Sequence, residues 1–193
     1  LMLLNGNGDQ VKVNRKKAAK YIKQSADQGN AKAMFEYASM LYEGVGVQPN
    51  KKESARYFKM AADRDNKDAM IIYGYMRQKG EIIDVNKKEA ARYIKMAADQ
   101  GDTDAMYYYG IILEKGDGIP SDKEEAARYL KMAADHGNSS AMNFYSSLLR
   151  KGEGVPIDKE EALRYIKTSA MQGNTDAMNS YGVMLLNGEG IPA

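Results

Sequence analysis

One interval, 36 residues, recurs along this chain. Tyrosine stands at Tyr21, Tyr57, Tyr93, Tyr129 and Tyr165, and Ala-Met pairs keep the same beat from Ala33-Met34 to Ala177-Met178. A second tyrosine follows suit at Tyr37, Tyr73, Tyr109, Tyr145 and Tyr181. Three markers on one ruler specify a repeat architecture, because a unit this short cannot bury a core alone and must stack on its neighbours.

Each unit has the grammar of two helices. Asn50 precedes Glu53 by three residues, as Asn86 does Glu89, Asp122 does Glu125 and Asp158 does Glu161. That is the capping-box spacing, in which both side chains satisfy free backbone N–H groups at a helix start. The first helix then runs to Gly29, Gly101, Gly137 or Gly173, where a left-handed residue can end it. Asp65 holds that place in the second unit, so its turn is expected to be strained or differently shaped. Asn30, Asn66, Asp102, Asn138 and Asn174 next offer N-caps for a second helix ending at Gly44, Gly80, Gly116, Gly152 and Gly188.

Inside every second helix lies a small residue: Ala38, Gly74, Gly110, Ser146, Gly182. Glycine there costs about 1 kcal/mol relative to alanine, so close approach of a neighbouring helix is the expected compensation. Gly74, Gly110 and Gly182, with Tyr57, Tyr93 and Tyr129, are therefore assigned structural roles.

The run from Ala126 to Pro156 follows the pattern A-x-x-Y-x-K-x-A-A-D-x-G-N-x-x-A-M-x-x-Y-G-x-x-L-x-x-G-x-G-V-P, with Ser146 in place of its glycine. It resembles the Sel-one-like repeat (SLR) family of tetratricopeptide-like hairpins, marked by a glycine pair after the second helix. Gly44/Gly46, Gly116/Gly118, Gly152/Gly154 and Gly188/Gly190 carry the pair, and Pro120, Pro156 and Pro192 follow. Ile82 replaces the partner of Gly80, so that connection should be less regular. The tetratricopeptide repeat proper has a period of about 34, so 36 favours the former family. The resemblance implies an all-α, right-handed α/α superhelix, a solenoid of 36-residue helix-turn-helix repeats, that serves as a scaffold or adaptor without catalysis by the repeats.

The predicted organisation is one solenoid over 1–193, with repeats 14–49, 50–85, 86–121, 122–157 and 158–193 preceded by the end of another at 1–13. Residues 2–6 equal residues 184–188, and a fragment of a longer array is expected.

Residues with possible chemistry have structural explanations. His136, the sole histidine, falls where other units have Gln28, Arg64, Gln100 and Gln172, and no cysteine or second histidine exists to work with it. Glu124-Glu125 and Glu160-Glu161 sit in first helical turns, where the dipole favours carboxylates. The GDG and GEG triplets follow helices and lack the lysine of a phosphate loop. Asn138 opens a formal glycosylation sequon in a chain without a recognisable signal peptide. Neither a catalytic residue, a metal site nor a cofactor is predicted, and the expectation is a non-enzyme.

Two surfaces remain for partners. Met60, Met96 and Met132 lie at the edge of the apolar face of the first helices, and methionine suits adaptable binding surfaces as well as packing. Arg56, Arg92 and Arg128 run beside them, with Glu53, Glu89 and Glu125 three residues earlier to pair internally. On the second helices, Ile72, Tyr75, Tyr108, Ile111 and Phe144 stand where outer repeats have Glu36, Ser39, Ser180 and Val183.

Composition narrows the partners. Lysine and arginine total 28 against 26 acidic residues, a net charge of +2, which disfavours nucleic acid and anionic membranes. Mean hydropathy is −0.60 and no apolar run is long enough for a membrane span. Absent cysteine fits a reducing compartment, and the expected location is cytoplasmic. The expected function is a protein-protein interaction scaffold or adaptor, its partner a protein or peptide rather than a small-molecule substrate. The alternative is a regulatory repeat segment of a larger enzyme such as a signalling kinase. An RNA-reading repeat protein would need a basic surface that this balance does not provide.

Overall fold

The structure is a computed structural model, and it describes residues 13–188. Ten α-helices account for the regular structure among them: α1 (Arg15–Asp27), α2 (Ala31–Glu43), α3 (Lys51–Ala62), α4 (Lys67–Lys79), α5 (Lys87–Asp99), α6 (Thr103–Lys115), α7 (Lys123–Asp135), α8 (Ser139–Lys151), α9 (Lys159–Met171) and α10 (Thr175–Asn187). They alternate as first and second helices of tandem helix-turn-helix units, giving an all-α repeat solenoid. The expectations for residues 1–12, Gly190 and Pro192 lie outside the described residues.

Two compact units divide the chain, Leu1–Met96 and Ala97–Ala193. In the first, α1 packs on α2, α2 on α3 and α3 on α4; in the second, the same succession runs from α6 to α10. Each core is built mainly of small first-helix alanines, such as Ala61, Ala62, Ala133 and Ala134, and of the periodic tyrosines and methionines.

The predicted caps form, but only in half of the expected geometry. The side chains of Asn50, Asn86, Asp122 and Asp158 accept from the N–H groups of Glu53, Glu89, Glu125 and Glu161 at 2.8–3.0 Å. The reciprocal half is replaced. The cap residues' own N–H groups donate to carbonyls of the preceding second helix, Leu41, Arg77, Leu113 and Leu149, at 2.8–3.1 Å. This ties each connection to the helix before it and frees the glutamates for other partners.

Asp65 resolves its alternative in favour of strain. Its φ is +61°, the left-handed value glycine adopts at the equivalent turns. The turn keeps the same hydrogen bonds, Asp65 N–H to Ala62 and Asn66 N–H to Ala61, that Gly137 and Asn138 make to Ala134 and Ala133. Aspartate tolerates this conformation better than most side-chain-bearing residues.

The small position in the second helices is explained at two of its glycines. A Cβ on Gly110 would stand 2.6 Å from Leu130 Cγ and 3.3 Å from the Ala126 carbonyl, both on the first helix of the following repeat. On Gly74 it would stand 2.9 Å from Ile94 Cγ1. Gly182 differs from the expectation, because no described atom lies within 4 Å of its ideal Cβ. Two serines are absorbed by the same packing: buried Ser54 donates to the Ala38 carbonyl and Ser169 to the Ser139 carbonyl, each at 2.7 Å, which satisfies hydroxyls that burial would otherwise penalise.

Gly110→Leu therefore overpacks the α6–α7 contact and should lower stability by about 1–3 kcal/mol or more. Gly182→Ala meets no described neighbour and should gain up to about 1 kcal/mol from helix propensity. Thermal melts of the two variants check both signs.

Candidate interaction surface

The first-helix arginines are engaged within the chain. Arg56, Arg128 and Arg164 pair with Glu53, Glu125 and Glu161 three residues earlier, at 2.5, 3.3 and 3.1 Å. Their guanidinium groups also lie over tyrosine rings: Arg56 over Tyr57 at 4.9 Å, Arg92 over Tyr93 at 4.5 Å and Arg128 over Tyr129 at 4.6 Å. Glu89 has another cation, Arg77, whose Nε stands 2.6 Å from its Oε2. The single Nε hydrogen is directed at Tyr73 Oη, so the contact is electrostatic and Glu89 Oε2 accepts no hydrogen bond.

Those tyrosines hold successive repeats together, a role the period did not reveal. Tyr57 Oη donates to Asp27 at 2.8 Å and Tyr129 Oη to Asp99 at 2.5 Å, and Tyr93 and Tyr165 donate to Asp63 and Asp135 in the same way. Every acceptor lies 30 residues earlier, at the end of the preceding first helix. Each ring also meets a second-helix tyrosine edge to face, in the pairs Tyr37–Tyr57, Tyr73–Tyr93, Tyr109–Tyr129 and Tyr145–Tyr165, with centroids 4.8–5.3 Å apart. Tyr21 is exposed. Lysines complete the cluster, with Lys23, Lys59 and Lys131 at 2.6, 2.7 and 3.0 Å from Asp27, Asp63 and Asp135.

These contacts displace the protonation equilibria. The Lys23 hydrogen bond, with that of Tyr57, holds Asp27 below the usual carboxylate range. Asp63 and Asp135 are partly desolvated, which pushes them up, but hydrogen bonds from tyrosine and lysine outweigh this and hold them low. Burial and the aspartate acceptor push the Tyr57, Tyr93 and Tyr165 phenols up.

Met60, Met96 and Met132 are half-buried at the edge of the first-helix face. The second-helix residues are placed differently. Ile72 and Tyr75 line a groove of about 330 Å³ in the first unit, together with Ser39, Tyr42 and Glu43 of α2, Phe58 of α3, Met76 and Lys79 of α4, and Glu81 and Ile82 just beyond it. Phe144 lines a more polar groove of about 320 Å³ in the second unit, among Glu114, Ser147, Arg150, Lys151 and Glu153. Tyr108 is exposed with its ring 5.3 Å from Tyr107, and Ile111 is half-buried. Met60, Met96 and Met132 and Arg56, Arg92 and Arg128 line neither groove. Sequence reasoning missed Tyr42, Phe58 and Ile82 as groove residues; the signal at Ile82 was its replacement of a periodic glycine.

Other candidate chemistry is occupied by structure. His136 Nδ1 contacts the Met132 carbonyl at 2.8 Å. Asn138 accepts from the Ala141 N–H and donates to Asp104, both at 2.8 Å, as a helix cap. Among the described residues no group of three or more His, Cys, Asp or Glu is placed to hold a metal ion. No helix among them is long and apolar enough to cross a membrane.

A family profile described as Sel1 repeat matches residues 1–30, 31–66, 67–102, 103–138, 139–174 and 175–193. The chain is similar to a solved Sel1 repeat protein from Oxalobacter formigenes at 30% identity, covering 95% of this chain and 72% of that one, with a TM-score of 0.77. It shares the fold of c5321, a protective antigen of uropathogenic Escherichia coli displaying an SLR fold, at 24% identity and TM-score 0.87, covering 97% of this chain and only 40% of that one. Helicobacter pylori cysteine rich protein B matches at 20% identity and TM-score 0.52, over 72% of this chain and 99% of that one. No curated protein matches.

The tyrosine-aspartate-lysine clusters predict a two-sided pH dependence. Stability from the lowered aspartates is present above their unfolded value, about 4, and is lost as pH falls through the folded one. Stability from the raised tyrosines and lysines is full below about 10 and is lost as pH rises through their folded values. Asp63→Asn should blunt the acid limb of the melting-temperature profile, and an unchanged limb would remove Asp63 from this role.

Proposed function

Because the chain belongs to the Sel1 repeat family, we propose that it is a protein-protein interaction scaffold or adaptor that binds a partner protein or peptide on its second-helix face. Repeats of this kind generally mediate protein-protein contacts and are generally non-catalytic. The reading rests on the groove of the first unit, where Ile72, Tyr75, Tyr42 and Ile82 line a concavity instead of completing a core. Pockets lined by aromatic and aliphatic groups with a few polar ones are where ligands bind. The half-buried methionines Met60 and Met96 of the first unit and Met132 of the second, with Arg56, Arg92 and Arg128 beside them in sequence, are the second set of candidate residues. Ion pairs and ring contacts hold Arg56 and Arg128 in place, so an incoming partner would have to displace them.

Affinity capture separates the two surfaces. The wild-type chain, an Ile72→Glu/Tyr75→Glu variant and a Met60→Glu/Met96→Glu/Met132→Glu variant are used as baits in native extract, with circular dichroism to verify helix content. Partners lost with the first variant alone are the expected result. Loss with the methionine variant alone moves binding to the first helices, and identical background on all three baits removes the scaffold reading.

A further inference from the structure

We propose that the groove of the first unit is a built recognition site for a partner segment presenting a bulky apolar side chain next to a lysine or arginine. The proposal rests on the scaffold reading above and adds the chemistry of the occupant.

The groove follows from a local departure from the repeat. The second glycine of the pair normally brings the connection against the start of its own first helix. A Cβ on Gly46 would stand 2.3 Å from the Arg15 carbonyl oxygen, and one on Gly154 2.0 Å from that of Lys123. No side chain fits at such a distance. Ile82 occupies the same register in the second repeat, so the connection cannot close in that way. The neighbouring backbone differs accordingly. Val45, Asp117 and Glu153 donate their N–H groups to Met40, Ile112 and Leu148, whereas Glu81 makes no equivalent bond among the described residues. Ile82 instead lines the groove with Tyr42, Phe58, Ile72, Tyr75 and Met76. Its volume, about 330 Å³, is at the low end of ligand sites, which run from roughly 300 to 1,000 Å³. That suits one or two side chains better than a whole cofactor.

The rim favours a cation. Glu43 is the last residue of α2, where the helix dipole is negative and a carboxylate is unfavourable. The same register holds Lys79, Lys115 and Lys151 in the next three repeats. Glu43 therefore works against its own helix and needs another explanation. Glu81 adds a second carboxylate, and neither has an ion-pair partner among the described residues. Lys79 is the one cation lining the groove; Lys51 lies nearby with its Nζ 5.2 Å from the Tyr42 ring centroid. Two carboxylates, Glu43 and Glu81, thus line the groove with a single lysine and an apolar floor, which suits a positively charged partner. The corresponding groove of the second unit has Lys151 at the register of Glu43 and Arg150 at that of Tyr42, beside Glu114 and Glu153, so the two grooves differ in their charge arrangement.

The test uses the full chain and fluorescein-labelled Gly-Ser peptides with a central Lys-Leu-Phe-Lys, Glu-Leu-Phe-Glu or Lys-Ala-Ala-Lys, read by fluorescence anisotropy. The first peptide should bind at least about tenfold tighter than the other two. Ile82→Gly, which restores the residue of the other repeats, should abolish that preference. Glu43→Lys should weaken the Lys-flanked peptide and strengthen the Glu-flanked one while raising the melting temperature. Equal affinity for all three peptides, no binding to any, or an Ile82→Gly variant that binds like the parent overturns the proposal. If extract proteins are nevertheless captured and lost with the Ile72→Glu/Tyr75→Glu bait, the scaffold reading stands and only the assigned occupant falls.

Discussion

A hydrogen bond from a tyrosine hydroxyl to an aspartate one repeat back is the contact on which the array depends. A single hairpin of this length has two amphipathic helices and too little interior to cover them. Stacking must provide the rest, and it must do so in one register. Apolar alanines alone would permit sliding. The Tyr–Asp bond fixes the distance, the edge-to-face ring contact fixes the orientation, and the arginine above the ring covers what remains exposed. The ring contact contributes about 0.5–1.5 kcal/mol beyond its area, whereas an exposed arginine-glutamate pair contributes about 0–1. The rings and the buried alanines therefore carry the stacking, and the surface pairs trim it.

Much of this was legible in the sequence because it is local. Cap residues, turn glycines and helix lengths depend on neighbours within a few positions, and the helices appear where the spacing places them. The small residue at Gly110 was legible as well, since a helix-breaking choice repeated at one register demands a packing reason. The cap glutamates were read only in part: their pairing with arginines one turn on was expected, but the cap N–H groups donate to carbonyls of the preceding second helix, and Glu89 meets Arg77 instead. The tyrosine-aspartate bond was not read: its two ends lie 30 residues apart, and nothing short of the stacked geometry says that they meet.

The groove was the least legible feature, for a related reason. Ile82 reads as an irregularity in a connection, and Glu43 as one more surface acid. Only when α2, α3 and α4 are assembled do Tyr42, Phe58, Ile72 and Tyr75 converge on the space beside them. Periodicity describes what the repeats share. The groove lies where one repeat does something different, so it is visible only as a departure from the consensus.

The sameness of the tyrosine contacts has a consequence for how such a chain changes over generations. Tyr57, Tyr93, Tyr129 and Tyr165 each meet an aspartate at one fixed separation. Excising one whole period between them again sets a tyrosine against an equivalent aspartate, so that contact is kept at the junction. Unequal exchange between the similar copies can therefore lengthen or shorten the array in whole steps while keeping the tyrosine-aspartate contact at the junction. The repeat bearing Ile82 can be duplicated, lost or moved by the same exchange. The number and order of such grooves then become open to recombination rather than to slow substitution within a core.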